Sequence, residues 1–193
     1  MNVLFLGSPK SSIVSFLRDQ GESVVVYEEK IDADFVASGS FEFIVSFGYR
    51  HIIKKDIIDL FSLKIINLHI SYLPWNRGAD PNFWSFVENT PKGVTIHLVD
   101  EGLDSGAILF QKEVQMSSED TLRTSYEKLV SEICAMFSAK WPLIKSGQCQ
   151  PRPQVMGGSF HRTQDRKSLE FLLEPKQFDT PVGNLENYSR SNS

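Results

Sequence analysis

The chain has 193 residues, 41% hydrophobic and 23% charged, a composition that suits one globular domain with a sizeable core. A formal net charge of −4 and a pI of about 5.6 argue against a nucleic-acid binder, and Lys54-Lys55 is too short a basic run to change that. Cys134 and Cys149 form neither a disulfide framework nor a metal-ligand spacing, no apolar run reaches membrane length, and the N-terminus has no signal-like pattern, so a cytoplasmic location is expected.

Asn2–Leu6 is a short apolar run closed by Gly7-Ser8-Pro9, and reads as a first strand and turn. Ser11–Arg18 places Ile13, Phe16 and Leu17 at helical spacing, and Ser23–Tyr27 is β-branched and strand-like. Glu28–Ser40 is weakly patterned. Phe41–Phe47 is a third strand, closed by Gly48, and Lys54–Phe61 a helix with Ile57, Ile58 and Phe61 on one face. Leu63–Leu68 is a further strand, Asn82–Glu88 a helix, Val94–Val99 a strand and Ala107–Val114 an edge strand. From Ser117 the period changes. Leu122, Tyr126, Leu129, Ile133, Phe137 and Trp141 form a helical stripe of about 25 residues, with Ser117 or Ser118 as its cap and Pro142 near its end. A short strand fits Pro151–Gly158 and a short helix Thr163–Leu173. Strands alternating with helices imply an α/β fold: a Rossmann-like, mostly parallel twisted sheet with helices on both faces. Residues 1–146 form the main domain, 147–178 a short C-terminal extension beside it, and 179–193 a flexible tail.

The chemistry concentrates in Asn67-Leu68-His69 and in Leu103-Asp104-Ser105-Gly106. Side chains two apart on a strand share a face, about 7 Å from each other. Polar groups ending an apolar strand are costly unless paired or used, and the carboxyl ends of strands are where open α/β sheets place ligands. An amide, an imidazole and a carboxylate can stabilise a developing oxyanion, move a proton and orient the group that moves it. His97 lies within a strand and reads as structural; so, by preference, do His161 and Asp165. The four histidines form no metal-like grouping, and no metal is expected. Gly7-Ser8-Pro9-Lys10 is not a P-loop, yet its backbone and the side chains of Ser8 and Lys10 follow the first strand, where a substrate phosphate can sit.

The run Asn67–Gly78, followed by Gly93-Val94-Thr95-Ile96-His97 and by Asp100-Glu101-Gly102-Leu103-Asp104-Ser105-Gly106, resembles the catalytic domain of enzymes that use 10-formyltetrahydrofolate. That family includes glycinamide ribonucleotide transformylase, methionyl-tRNA formyltransferase and the amino-sugar N-formyltransferases. The resemblance spans about Met1 to Ser146. It implies the formyltransferase fold, 10-formyltetrahydrofolate as formyl donor, and Asn67, His69 and Asp104 as the catalytic trio. It also implies that the folate is held by Gly48, Tyr49, Arg50, His51, Ile52 and Ile53, with the His51 side chain incidental, and by Val99, Asp100, Glu101, Gly102 and Leu103.

Three amines compete as acceptor. Arg77-Gly78-Ala79-Asp80-Pro81 resembles the methionyl-tRNA enzymes, but those carry a large basic C-terminal domain, and here about 45 residues follow the core of an acidic chain. Glycinamide ribonucleotide transformylases match in length but have a Gly-Ser-Gly-type first loop, where Pro9 here removes a donor. Ser46-Phe47-Gly48-Tyr49-Arg50 and Pro74-Trp75-Asn76-Arg77 look more like the enzymes that formylate nucleotide-linked amino sugars, with Trp75 to stack, Asn76 beside it and Arg77 to pair with a diphosphate. The expected partner is therefore a nucleotide-linked sugar, with no nucleic acid and no membrane, and a homodimer is compatible with the resemblance. A formyltetrahydrofolate hydrolase or a non-catalytic folate-binding module is the alternative of another class.

Overall fold

A computed structural model describes residues 1–191 of the chain, with side chains to Tyr188. Its contacts divide it into two units: Met1–His69, Ile96–Phe110 and Cys134–Gln154 in the first, Ile70–Thr95, Gln111–Ile133 and Val155–Ser193 in the second. Among the described residues the strands form a six-stranded sheet, in the order β2-β1-β3-β4-β6-β7, and a two-stranded one of β5 and β8.

In the first unit β1 (Asn2–Gly7) runs parallel between β2 (Ser23–Tyr27) and β3 (Phe43–Phe47), and β4 (Ile65–His69) extends the parallel set beside β3. Val3, Leu4, Phe5 and Leu6 are all fully buried, as a strand covered on both faces requires. Alternation sends Leu4, Leu6, Ile44 and Ile65 to one face, where they meet Val36 of α2 (Ala33–Ser38) and Ile57 and Phe61 of α3 (Lys55–Phe61). The other face meets α1 (Ser12–Asp19) and the end of α5 (Leu122–Lys145): Phe43 lies edge-on to Trp141 at 5.4 Å, and Phe16 to Phe137 at 6.0 Å. Ser11 and Asp32 cap α1 and α2, accepting from the backbone N–H of Ile13 at 3.3 Å and of Phe35 at 2.8 Å. The Rossmann-like α/β fold of the sequence reading is the fold observed.

β6 (Gly93–Leu98) is followed by β7 (Ile108–Glu113) at the edge of the sheet. Leu98 N–H bonds to Ala107 O, and Val114 N–H to Lys92 O, so β7 returns antiparallel. In the second unit α4 (Pro81–Val87) supplies Phe83, Trp84, Phe86 and Val87 to a core shared with Leu122, Leu173, Val182 and Leu185. No helix among the described residues is long and apolar enough to cross a membrane.

Three local expectations change. The cap of α5 is Thr121, not Ser117 or Ser118: Thr121 Oγ1 accepts from Thr124 N–H at 3.2 Å while Thr121 N–H donates to Thr124 Oγ1 at 2.9 Å. Asp120 instead closes a separate turn on Ser117 N–H at 2.7 Å and pairs with Lys128 at 2.6 Å. Asp165–Leu173 is a 3₁₀ helix. Within the expected flexible tail, residues 182–191 form α6, because Val182 and Leu185 are apolar groups three apart that bury against α4.

Glu22 illustrates how the first unit is tied together. Its carboxylate is 1% exposed and accepts from Lys145 Nζ at 2.6 Å, from Trp141 Nε1 at 3.2 Å and from the Met1 amino group at 2.7 Å. Burial pushes its pKa up, but the bonds from Lys145, the amino group and Trp141 outweigh it and lower the pKa from 4.5 to about 2. A folded pKa below the unfolded one stabilises the fold above the unfolded value, and that stability drains away as pH falls through 4.5 toward 2. Glu22→Gln is expected to cost about 2 kcal/mol at neutral pH in urea unfolding, and to flatten the loss of stability between pH 4.5 and 2.

Candidate active site

Asn67 stands in register with Ser46 on β3, and His69 is the last residue of β4, so both polar side chains occur at the carboxyl end of a strand whose remaining residues are apolar. Asn67 Nδ2 donates to Asp104 Oδ1 at 3.0 Å. That bond fixes the amide's orientation, since the flipped amide would set its oxygen against a carboxylate. His69 Nδ1 lies 3.6 Å from Asp104 Oδ2, a charge-pair distance rather than a hydrogen bond. His69 is 7% exposed and the Asp104 side chain 10%, so the carboxylate depends on its neighbours for solvation.

A fourth group joins them. His97 Nε2 sits 3.3 Å from Asn67 Nδ2 and 3.4 Å from Asp104 Oδ1, while its Nδ1 is 2.8 Å from Leu98 O. A carbonyl only accepts, so Nδ1 carries a hydrogen. Nε2 then accepts from Asn67 when the ring is neutral and donates to Asp104 when it is cationic. His97, read from the sequence as a structural strand residue, is in contact with the site: β6 neighbours β4 in the sheet, and a histidine one residue from the end of β6 reaches the same carboxylate. The His69 and His97 rings are 6.4 Å apart and nearly perpendicular.

The loop carrying Asp104 is built from local bonds. Asp100 Oδ1 accepts from Gly102 N–H at 3.1 Å and from Ser105 Oγ at 2.7 Å. Lys55 at the start of α3 pairs with Glu101 at 2.8 Å. Asp104 adopts φ +50°, a left-handed conformation that aspartate tolerates better than most side chains. Gly106 then passes so close to β6 that a Cβ there would lie 1.8 Å from Leu98 O. Gln154 Nε2 donates to Asp104 O at 2.8 Å and Gly106 O at 2.9 Å. Sequence reading misses Gln154 because 50 residues separate it from Asp104.

The other sequence-predicted residues fall into three groups. Gly48 closes β3 at φ +68°, and Tyr49, Arg50, His51, Ile52 and Ile53 follow. Of these, Ile52 is 71% exposed, whereas the Ile53 side chain is buried in the core with Ile57, so Ile53 offers a ligand its backbone only. The Tyr49 hydroxyl donates to Glu29 O at 2.7 Å and accepts from Ile31 N–H at 3.1 Å, which commits it to holding that segment. Tyr49 and Val99 pack against the same core cluster, so the segments 48–53 and 99–103 converge on one support, with Leu103 46% exposed. Ser8 and Lys10 lie in an exposed turn whose bonds are local: Lys10 N–H to Ser8 Oγ at 3.4 Å and Ser11 N–H to Ser8 O at 3.0 Å.

Trp75, Asn76 and Arg77 belong to the second unit. Trp75 is 37% exposed, but Asn76 is fully buried, donating to Glu88 at 3.2 Å and to Ser159 Oγ at 3.3 Å and accepting from Thr90 Oγ1 at 2.7 Å. Asn76 thus braces its own unit through these bonds. His161 stacks on Trp84 with ring centroids 3.8 Å apart, and Asp165 caps a turn on Arg162 N–H at 2.7 Å, contacts that lie within that unit.

A mostly parallel α/β sheet brings together an amide, two imidazoles and a carboxylate, and the chain belongs to the formyl transferase family, whose N-terminal domain model matches residues 8–138. Its sequence is 37% identical over 115 residues to a methionyl-tRNA formyltransferase of Thermodesulfovibrio yellowstonii, a match covering 59% of this chain and 37% of that protein. A second, from Fusobacterium nucleatum, is 33% identical over 142 residues, covering 73% and 43%. The chain thus matches well under half the length of these curated relatives. Among solved structures, the formyltransferase PseJ of Anoxybacillus kamchatkensis, in complex with UDP-4,6-dideoxy-4-formamido-L-AltNAc and tetrahydrofolate, superposes with a TM-score of 0.93 at 45% identity over 98% of this chain and 100% of that one. A 4-N formyltransferase from Francisella tularensis shares the fold, with a TM-score of 0.79 at 18% identity over 97% of this chain and 87% of that one.

Gly106→Ala tests the close approach that carries the loop. It is expected to destabilise the fold by about 2–3 kcal/mol in urea unfolding, because backbone rather than a flexible side chain must move.

Proposed function

We propose that this chain transfers the formyl group of 10-formyltetrahydrofolate to the C4 amine of a UDP-linked 4-amino-4,6-dideoxy sugar. The observation that carries this reading is the full-length likeness to PseJ, whose bound sugar bears a formamide at C4 and whose second ligand is tetrahydrofolate. The methionyl-tRNA relatives support formyl transfer as chemistry, but match at lower identity and over well under half their length, so they weigh less for the acceptor. The geometry favours a transferase over a folate-binding module, because three polar groups converge on one nearly buried carboxylate.

In the proposed reaction the sugar amine attacks the formyl carbon. Negative charge gathers on the formyl oxygen, the amine loses a proton, and the folate nitrogen leaves with one. Asn67 gives one amide hydrogen to Asp104 at 3.0 Å, and the other, held more weakly by His97 at 3.3 Å, is shared with the oxyanion while the amide keeps its orientation. His69 presents Nδ1 to Asp104, which leaves Nε2 as the ring nitrogen that exchanges protons with amine and leaving group. Asp104 stabilises the imidazolium, and His97 keeps Asn67 oriented. The backbone of residues 48–53 and 99–103 takes the pterin, with exposed Ile52 and Leu103 against its rings. Ser8 and Lys10 meet phosphate.

Turnover is measured as release of tetrahydrofolate with UDP-linked 4-amino sugars, dTDP-linked 3-amino sugars, glycinamide ribonucleotide and methionyl-tRNA as acceptors. The expected result is turnover with a UDP-linked 4-amino sugar. His69→Ala and Asp104→Asn should each lower kcat by roughly 10³-fold while folate binding survives. Turnover confined to glycinamide ribonucleotide or methionyl-tRNA overturns the acceptor, and amine-independent release of formate overturns the transferase.

A further inference from the structure

We propose that Gln154 is a positioning residue for Asp104, so that a side chain beyond the long helix α5 sets the turnover of the site. The inference rests on the formyl-transfer reading above and names a residue it does not contain. Three observations carry it.

First, the residues before and around Gln154 are docked, not loose. Arg152 and Ile108 exchange both backbone bonds, Ile108 N–H to Arg152 O at 2.8 Å and Arg152 N–H to Ile108 O at 2.9 Å, which adds this segment to the start of β7. Second, the Gln154 amide has one orientation. Nε2 gives its two hydrogens to Asp104 O and Gly106 O, and flipping the amide would press an oxygen against two carbonyls. Its Oε1 is buried with no hydrogen-bond partner among the described residues, so the two carbonyls alone decide the orientation. Third, those carbonyls belong to the strained residue itself, Asp104 with φ +50°, and to the residue two further on, so the clamp holds the backbone as it leaves that conformation. The upstream part of the loop has separate anchors in Asp100, which accepts from Gly102 and Ser105, and in Val99 N–H, which bonds to Ile65 O at 2.9 Å.

The division of labour predicts a division in kinetics. Asp100 and Val99 hold the stretch assigned to the pterin, whereas Gln154 holds the peptide that aims the Asp104 carboxylate at Asn67, His69 and His97. Releasing Gln154 lets Asp104 drift by a fraction of an ångström to an ångström, a displacement that costs up to about 100-fold in rate when the reacting groups must be aligned. Substrate binding, made elsewhere, stays.

The test compares wild type with Gln154→Leu, which cannot donate, and with Gln154→Glu, the same shape but an ionised acceptor facing two carbonyls. Steady-state kinetics with 10-formyltetrahydrofolate and the best acceptor are combined with thermal melting and with direct titration of tetrahydrofolate binding. The expected result is a 10- to 100-fold fall in kcat for both variants, folate KM and Kd within about 3-fold of wild type, and at most a few degrees lost in Tm. A kcat within 2-fold of wild type in either variant overturns the proposal. So does a variant that fails to fold or to bind tetrahydrofolate, because Gln154 would then support the domain rather than aim one carboxylate. Should wild type itself show no amine-dependent transfer, it is the formyl-transfer reading that falls, and the folding and folate-binding arms identify that case separately.

Discussion

A carboxylate held almost out of water sets the terms for the first unit. Asp104 accepts from the Asn67 amide at 3.0 Å, and two imidazoles lie 3.4 and 3.6 Å from its carboxylate. Burying a carboxylate is expensive unless donors replace the lost water, so all three partners have to arrive in place. They do so because β4 and β6 are neighbours in the sheet, which sets Asn67 beside His97, and because rigid strands deliver side chains more reproducibly than loops. Asp104 itself sits on a loop, and that loop is correspondingly over-determined: an aspartate turn at Asp100, a glycine pressed on Leu98, and a glutamine clamp.

Much of the sheet was legible from local pattern. Val3–Leu6 and Ile65–Leu68 are short apolar runs beside turn residues, and the stripe from Leu122 to Trp141 has helical period over several turns. Asn67 and His69 stood out because polar groups at the end of such a run are anomalous. Other features depend on tertiary pairing, which no window of sequence contains. His97 looks like an ordinary strand residue until β6 is known to lie beside β4. Gln154 looks like a loop residue until its segment is known to return to Ile108. The bonds of Asn76 to Glu88, Thr90 and Ser159 are likewise tertiary, and its place beside Trp75 and Arg77 in the sequence does not announce them. α6 was missed because glycine, asparagine and serine have poor helix propensity, and buried contacts from Val182 and Leu185 outweigh it.

Family and acceptor are separate questions. In the proposed reaction the cluster of amide, imidazoles and carboxylate acts at the formyl carbon, whichever amine attacks, so it bears on reaction class. Acceptor choice is a matter of the residues outside that cluster, and of exclusion as much as attraction. Likeness to PseJ along the whole of both chains bears on those residues too, which is why it outweighs the more numerous shorter matches in the proposal for the acceptor.

The central claim is that a formyl group passes from a folate nitrogen to a sugar amine at Asn67, His69 and Asp104. The most direct measurement is to supply 10-formyltetrahydrofolate labelled with ¹³C in the formyl group, together with a UDP-linked 4-amino-4,6-dideoxy sugar, and to follow the label by NMR. The account predicts that the ¹³C signal moves to a formamide on C4 of the sugar, with one tetrahydrofolate formed for each. Label that collects as free formate, or that stays on the folate while the amine remains unmodified, contradicts it.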